Sequence, residues 1–182
     1  MENIQRNSYV FNITLSGLLI AIGTMIPMWM PIRVVIPPAS FTLASHAVIF
    51  IAMFMSTKIA ISVTIGTTIG FFIAGFPIVI VLRAASHLIF AILGAFYLSK
   101  INKNTFGGVR LRIFSFIIAL IHAVAELIVV VIFQFGNNLP VDSAFLNFAF
   151  LMIFLGTIIH SMVDLEIANW IRILLKKIGV LI

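Results

Sequence analysis

Residues 78–98 read IVIVLRAASHLIFAILGAFYL, an apolar run interrupted by Arg83 and His87. As a helix rising 1.5 Å per residue it is about 31 Å long, close to the thickness of a bilayer's hydrocarbon core. A charge at the centre of an inserted helix costs roughly 2.5–3.5 kcal/mol on insertion scales, so it needs a partner or a polar cavity. A second run, 113–135 (IFSFIIALIHAVAELIVVVIFQF), carries His122 and Glu126 in the same way. Ionisable groups on separate spans point to a membrane protein with a polar pocket between its helices, and that pocket is where function is expected.

The composition agrees. Of 182 residues, 63% are hydrophobic and 9% charged, and the mean hydropathy is +1.27. Soluble domains carry about 25% charged residues. The length fits one membrane domain, 1–182, without room for a soluble ATPase. No cysteine is present, which excludes disulfides, thiolate metal sites and cysteine nucleophiles. The excess of 11 Lys and Arg over 5 Asp and Glu lies mostly in short segments between apolar runs. It is read as membrane topology, not as a nucleic-acid surface. The first apolar run has no small-residue cleavage site and is expected to be a retained helix.

The apolar runs predict six spans: 9–30, 41–55, 59–74, 78–98, 113–135 and 144–163, the last continuing as helix toward Lys177. The expected fold is an all-α six-transmembrane-helix bundle. Six crossings put both termini on one side together with Lys58 and the segment holding Lys100, Lys103, Arg110 and Arg112. That side then collects nine of the eleven basic residues, which the positive-inside rule marks as cytoplasmic. Arg33 alone falls outside, and Arg83 lies within a span.

Two runs carry small residues at helical spacing. Ser62, Gly66, Gly70 and Ala74 form a stripe suited to close helix packing within the bundle. Gly17-xxx-Ala21, on the first span, is a shorter patch that suits either packing or docking onto a partner subunit.

Depth along each helix groups the polar residues. Arg83 lies about 9 Å inside Pro77, and His87 is one turn deeper on the same face. Glu126 lies about 13 Å inside Phe135, a matching depth, with His122 one turn below it. His46 is about a turn and a half into the second span, and Asn147 is near the outer start of the sixth. These residues are the candidates for an outward-opening site. Alternatives remain at this stage: an Arg83–Glu126 ion pair that only fastens two helices, and histidines satisfied by backbone carbonyls. His160 and Asp164 count to about 24–30 Å from the outer start of their helix. They are therefore expected near the cytoplasmic end, away from the pocket. The apolar segment 31–42, with Arg33 and Pro37-Pro38, is expected to rest in the headgroup region or to fold over the cavity.

Phosphate-binding loops, metal-ligand motifs and a nucleophile elbow are not evident, so neither catalysis nor a metal is assigned. Ser86 and His87 are adjacent and point to different helix faces. An intramembrane enzyme using His and Glu as acid and base is the competing functional class, and a scaffold whose charges only fasten helices is a third.

Three segments, PPASFTLASH (37–46), GTTIGFF (66–72) and GFPIVIVLRAASH (75–87), carry a family likeness. With the six-helix plan and the small patch on the first span, the chain resembles the substrate-binding S components of energy-coupling-factor (ECF) vitamin transporters, most closely the niacin-type ones. The resemblance covers the whole chain. It implies a high-affinity vitamin-binding subunit of a bacterial cytoplasmic membrane, with no catalysis and no cofactor. Its implied partners are a transmembrane coupling subunit, on which it topples in the bilayer, and two cytoplasmic ATPases. The family's AxxxA-like docking pair would fall on Gly17 and Ala21, a departure that keeps the residues small. For niacin the resemblance implies Arg83 for the carboxylate, His87 or His46 for hydrogen bonds, and Phe41 or Phe76 for stacking. Glu126 is awkward beside an anion, and fits nicotinamide or another cationic or amide-bearing vitamin as well.

Overall fold

The computed structural model describes residues 2–36, 38–102 and 106–177, with side chains from Tyr9 onward except Val35. Pro37 and Lys103, used in the sequence reading, lie outside the described residues. In chain order the elements are α1 (Glu2–Trp29), a hairpin of β1 (Arg33–Ile36) and β2 (Ala39–Thr42), α2 (Ala47–Met55) and α3 (Thr57–Ile73). There follow α4 (Ile78–Ser99), α5 (Gly108–Gly136), α6 (Ser143–Phe148), a π-helical segment (Ala149–Leu155) and α7 (Gly156–Lys177). The last three form one continuous rod, Ser143–Lys177.

Among the described residues, four helical stretches are long and apolar enough to cross a membrane: Tyr9–Trp29, Ile78–Ser99, Gly108–Gly136 and Ser143–Lys177. The chain is a mostly helical membrane protein. α3 is shorter, and α2 has only nine residues. The expected helix over 41–55 is thus strand and turn up to His46 and helix only from Ala47. Val34, Ile36 and Thr42 are β-branched and favour a pleated strand, and the antiparallel register pairs Arg33 with Thr42 and Ile36 with Ala39. The all-α expectation therefore gains a two-stranded hairpin.

Residues 47–54, all but the last of α2, are buried, so the helix runs inside protein and need not match a bilayer's thickness. Phe50, Met53 and Phe54 of α2 meet Phe90 and Leu98 of α4, Phe114 and Ile118 of α5, and Leu165 of α7 in the main apolar core. α2 and α3 are separated by Ser56, whose hydroxyl accepts the Ile59 N–H at 3.2 Å and caps α3. Gly75 adopts φ +76°, a left-handed turn open to glycine. With Pro77 it reverses the chain between α3 and α4.

The small-residue stripe of α3 serves packing. A Cβ on Gly66 would overlap Ile20, and one on Gly70 would overlap Thr24, so α1 seats against the middle of the stripe. Ser62 and Ala74 at its ends are exposed. In lipid no hydrophobic force draws helices together, and such close approach is what holds them. α1 is otherwise peripheral, with Gly17 and Ala21 exposed on its outer side.

The two ends of the bundle differ. Phe106, Gly107 and Gly108 at the start of α5 share a cleft with Arg172, Lys176 and Lys177 of α7, and Arg172 stacks 4.7 Å from the ring of Phe54 at the end of α2. That end carries most of the described basic residues, Arg33 and Arg83 lying at the other. The hairpin and the α3–α4 turn close the other end.

Candidate functional site

Beneath the hairpin lies a partly open cavity of about 250 Å³, just under the range of about 300–1,000 Å³ typical for drug-sized ligands. α1 contributes Gly23 and Pro27, the hairpin Arg33, Ser40 and Thr42, and the α3–α4 turn Phe76 and Pro77. Its polar wall is His46, Arg83, His87 and Glu126.

Glu126 of α5 is the hub of that wall. Its Oε2 accepts from Arg83 Nη2 at 2.9 Å and from the Thr157 hydroxyl at 2.7 Å. Its Oε1 lies 3.1 Å from His87 Nε2 and 3.4 Å from His122 Nε2. Both partners of the Arg83–Glu126 pair are buried, where a severed pair would leave an uncompensated charge. Arg83 divides its guanidinium. Nη1 donates to the Pro38 carbonyl of the hairpin at 3.0 Å, while Nε has no hydrogen-bond partner among the described residues. The pair fastens α4 to α5, and the same arginine fastens the hairpin over the cavity.

A second carboxylate, Asp164 of α7, organises the start of α2. It accepts the Ala44 N–H at 2.7 Å and the His46 N–H at 2.9 Å, and its Oδ2 lies 3.1 Å from His46 Nδ1. Ala44 sits at φ +65°, a conformation that non-glycine residues adopt at a cost unless held. The Ser45 hydroxyl lies 3.1 Å from His160 Nε2 and 3.2 Å from His46 Nδ1. All four histidines thus meet. The His46 ring centroid is 4.6, 4.7 and 4.9 Å from those of His87, His122 and His160. Phe90 lies under the cluster, 4.5 Å from the His122 ring.

Of the expected residues, the structure brings His46, Arg83, His87 and Glu126 to the cavity wall. Phe41 is half-buried outside that wall: its ring lies 6.0 Å from Arg83 Cζ and 5.5 Å from His160, against Gly156. Phe76 is on the wall, tilted against Phe71 at 4.9 Å. Asn147 must be corrected. It is exposed on α6, a helix that buries none of its residues, so its side chain is outside the cavity.

His160 and Asp164 must be corrected too. The first six residues of the rod include none that is fully buried, and only Phe145 and Phe148 among them pack against the core, so a depth taken from its start is too large. The hairpin, for its part, carries the start of α2 inward to Ala47, so His46 meets α7 well below the surface. Thr157, Ser161 and Ser45 were missed altogether. The signal was in α7: Thr157, His160, Ser161 and Asp164 recur at three- and four-residue spacing, a polar stripe down one face of an apolar helix. Likewise the histidines, read as spread over separate helices with no ligand spacing, are gathered into groups whose ligand atoms lie within 4.8 Å of one another.

Compared with known proteins, the chain is 39% identical over 173 residues to a protein described as the niacin transporter NiaX of Lactococcus lactis subsp. cremoris (strain MG1363). The match covers 94% of this chain and 78% of that one. The chain belongs to this niacin-transporter family. The match bears out the resemblance to niacin-type S components read from the sequence. No protein-family model and no solved structure matches the chain.

Proposed function

We propose that the chain is the substrate-binding S component of an ECF-type importer, and that the cavity under the hairpin takes niacin, as nicotinate or nicotinamide. The observation that carries this reading is the cavity wall itself. A buried guanidinium with an unpartnered Nε, flanked by imidazoles, borders a cavity of single-ring size. Arginine offers a planar fork to a carboxylate, His87 and His46 suit the ring nitrogen or the carboxylate, and Phe76 supplies an aromatic face. Phe41 acts from behind the wall by seating the hairpin.

In the same reading all 182 residues form one membrane domain with six crossings, both termini in the cytoplasm of a bacterial cell. The exposed cations Lys58, Lys100, Arg110, Arg112, Lys176 and Lys177 support it, since they belong to the end opposite the cavity. The cavity then faces outward. Gly17 and Ala21, exposed on α1, meet a transmembrane coupling subunit, and two cytoplasmic ATPases supply the energy. The protein itself performs no catalysis.

Titration calorimetry of the full chain in detergent, with nicotinate and nicotinamide as ligands, tests the assignment. Saturable binding of either, one per chain and without turnover, is expected. Absence of heat for both would sink it.

A further inference from the structure

Four imidazoles around two carboxylates exceed what hydrogen bonding to a single pyridine ring requires. We propose that His46, His87, His122 and Glu126 form a binding site for a divalent transition-metal ion of the zinc class. One ligand atom from each of the four lies within 4.8 Å of the others. Imidazole nitrogens with one carboxylate oxygen favour zinc, cobalt or nickel over calcium or magnesium.

Zinc bonds of about 2.0–2.1 Å in a tetrahedral site set neighbouring ligand atoms about 3.3–3.4 Å apart. Glu126 Oε1 lies 3.1 Å from His87 Nε2 and 3.4 Å from His122 Nε2. The second of these contacts points most directly to an ion. His122 is wholly buried, and among the described residues its Nε2 makes no hydrogen bond although it lies 3.4 Å from Glu126 Oε1.

The outer shell fits as well. Metal-binding imidazoles hold their second nitrogen against a carboxylate or another fixed group, which orients the ring. His46 Nδ1 is held by Asp164 and His122 Nδ1 by the Ser161 hydroxyl at 3.2 Å, leaving each ring's Nε2 for the ion. Arg83 and Thr157 occupy Glu126 Oε2, leaving Oε1 on the side of the histidines. A second grouping, His46, His160 and Asp164, is less suited. Asp164 already accepts two backbone N–H bonds that shape the turn into α2.

The ion would also add positive charge to the pocket, a consequence that rests on the niacin reading above. With uncharged imidazoles the lining and its outer shell hold Arg33 and Arg83 against Glu126 and Asp164, a net charge of zero. A divalent ion makes the pocket positive, which favours a carboxylate guest.

The test uses the full chain in detergent, stripped with a chelator and titrated with Co²⁺. Ligand-field bands of four-coordinate cobalt are expected, saturating at one ion per chain and displaced by Zn²⁺. They should vanish in His122→Ala and persist in His160→Ala. A wild-type protein that gives neither cobalt bands nor calorimetric heat with Zn²⁺ overturns the site, as does a folded His122→Ala that binds like wild type. The wild-type titration does not depend on the variant folding. Nicotinate is then titrated with and without Zn²⁺, where a gain of at least about tenfold is expected, equivalent to about 1.4 kcal/mol. Nicotinate binding that is equally tight in stripped protein, with no cobalt signal, removes the metal and keeps the vitamin. Cobalt binding with no vitamin binding in either form removes the vitamin and keeps the metal.

Discussion

The two ends of the bundle treat charge in opposite ways. At the hairpin end, Arg83, Glu126 and Asp164 are buried and cross-linked with four histidines around a cavity. At the other end Lys58, Arg110, Arg112, Lys176 and Lys177 are exposed, and beneath them Phe50, Met53, Phe54, Leu98 and Phe114 pack in the main apolar core. Phe90 divides the halves, its ring 5.4 Å from Phe50 on one side and 5.6 Å from His87 on the other. A bundle held by apolar packing alone has no use for buried ions, since packed hydrophobic side chains stabilise as well or better. Their confinement to the half that contains the cavity fits the proposed binding of a guest there.

Substituting cations at the two ends probes this contrast most sharply. Arg83→Ala is expected to lower nicotinate affinity by about 2–5 kcal/mol, the range for truncating one member of a buried charged contact. That is a loss of about 30-fold or more by calorimetry. Arg83→Lys keeps a charge opposite Glu126 but loses the fork, so it separates recognition from folding. Unchanged affinity in a folded Arg83 variant would break the comparison. At the opposite end Lys58→Gln is the smallest effect, taken up last below.

Uptake divides the molecule differently. Gly17→Leu and Ala21→Leu are expected to abolish vitamin uptake in cells that contain the coupling module, with affinity in detergent unchanged. Normal transport by both variants would remove α1 as the docking face. Next in size is Gly66→Leu, where the new side chain overlaps Ile20. Overpacking of this kind costs about 1–3 kcal/mol and should appear as a lower melting temperature in detergent; a melting curve identical to wild type would show that α1 does not depend on the stripe. Lys58→Gln closes the series. An exposed charge contributes within about 1 kcal/mol, so its affinity for the vitamin should match wild type, and a large loss there would blur the distinction between the ends.

Much of this was legible in the sequence because lipid imposes simple rules. Apolar runs located every long helix, and the matching depths of Arg83 and Glu126 allowed either a shared guest or the direct contact seen at 2.9 Å. What failed was counting depth from assumed helix starts. The turn from Thr42 to Ala47 is ordered by Asp164, a residue 120 positions away from Ala44, and no local pattern announces such a bond. The same long-range contact hid His160 and Asp164 from the site. Asn147 failed for the converse reason, because a polar residue early in a helix looks alike whether the helix starts in the bundle or protrudes from it. The histidine cluster was invisible as a motif since its members come from the start of α2 and from α4, α5 and α7.

If Arg83 receives the vitamin's carboxylate as proposed, its bond to the carbonyl of Pro38 makes entry an exchange reaction. A carboxylate that claims this guanidinium nitrogen then displaces the oxygen of the hairpin turn, so the enthalpy gained is the difference between two hydrogen bonds instead of the whole of one. Occupancy and release of the hairpin then become a single equilibrium, legible from the outer surface of the protein without sight of the guest.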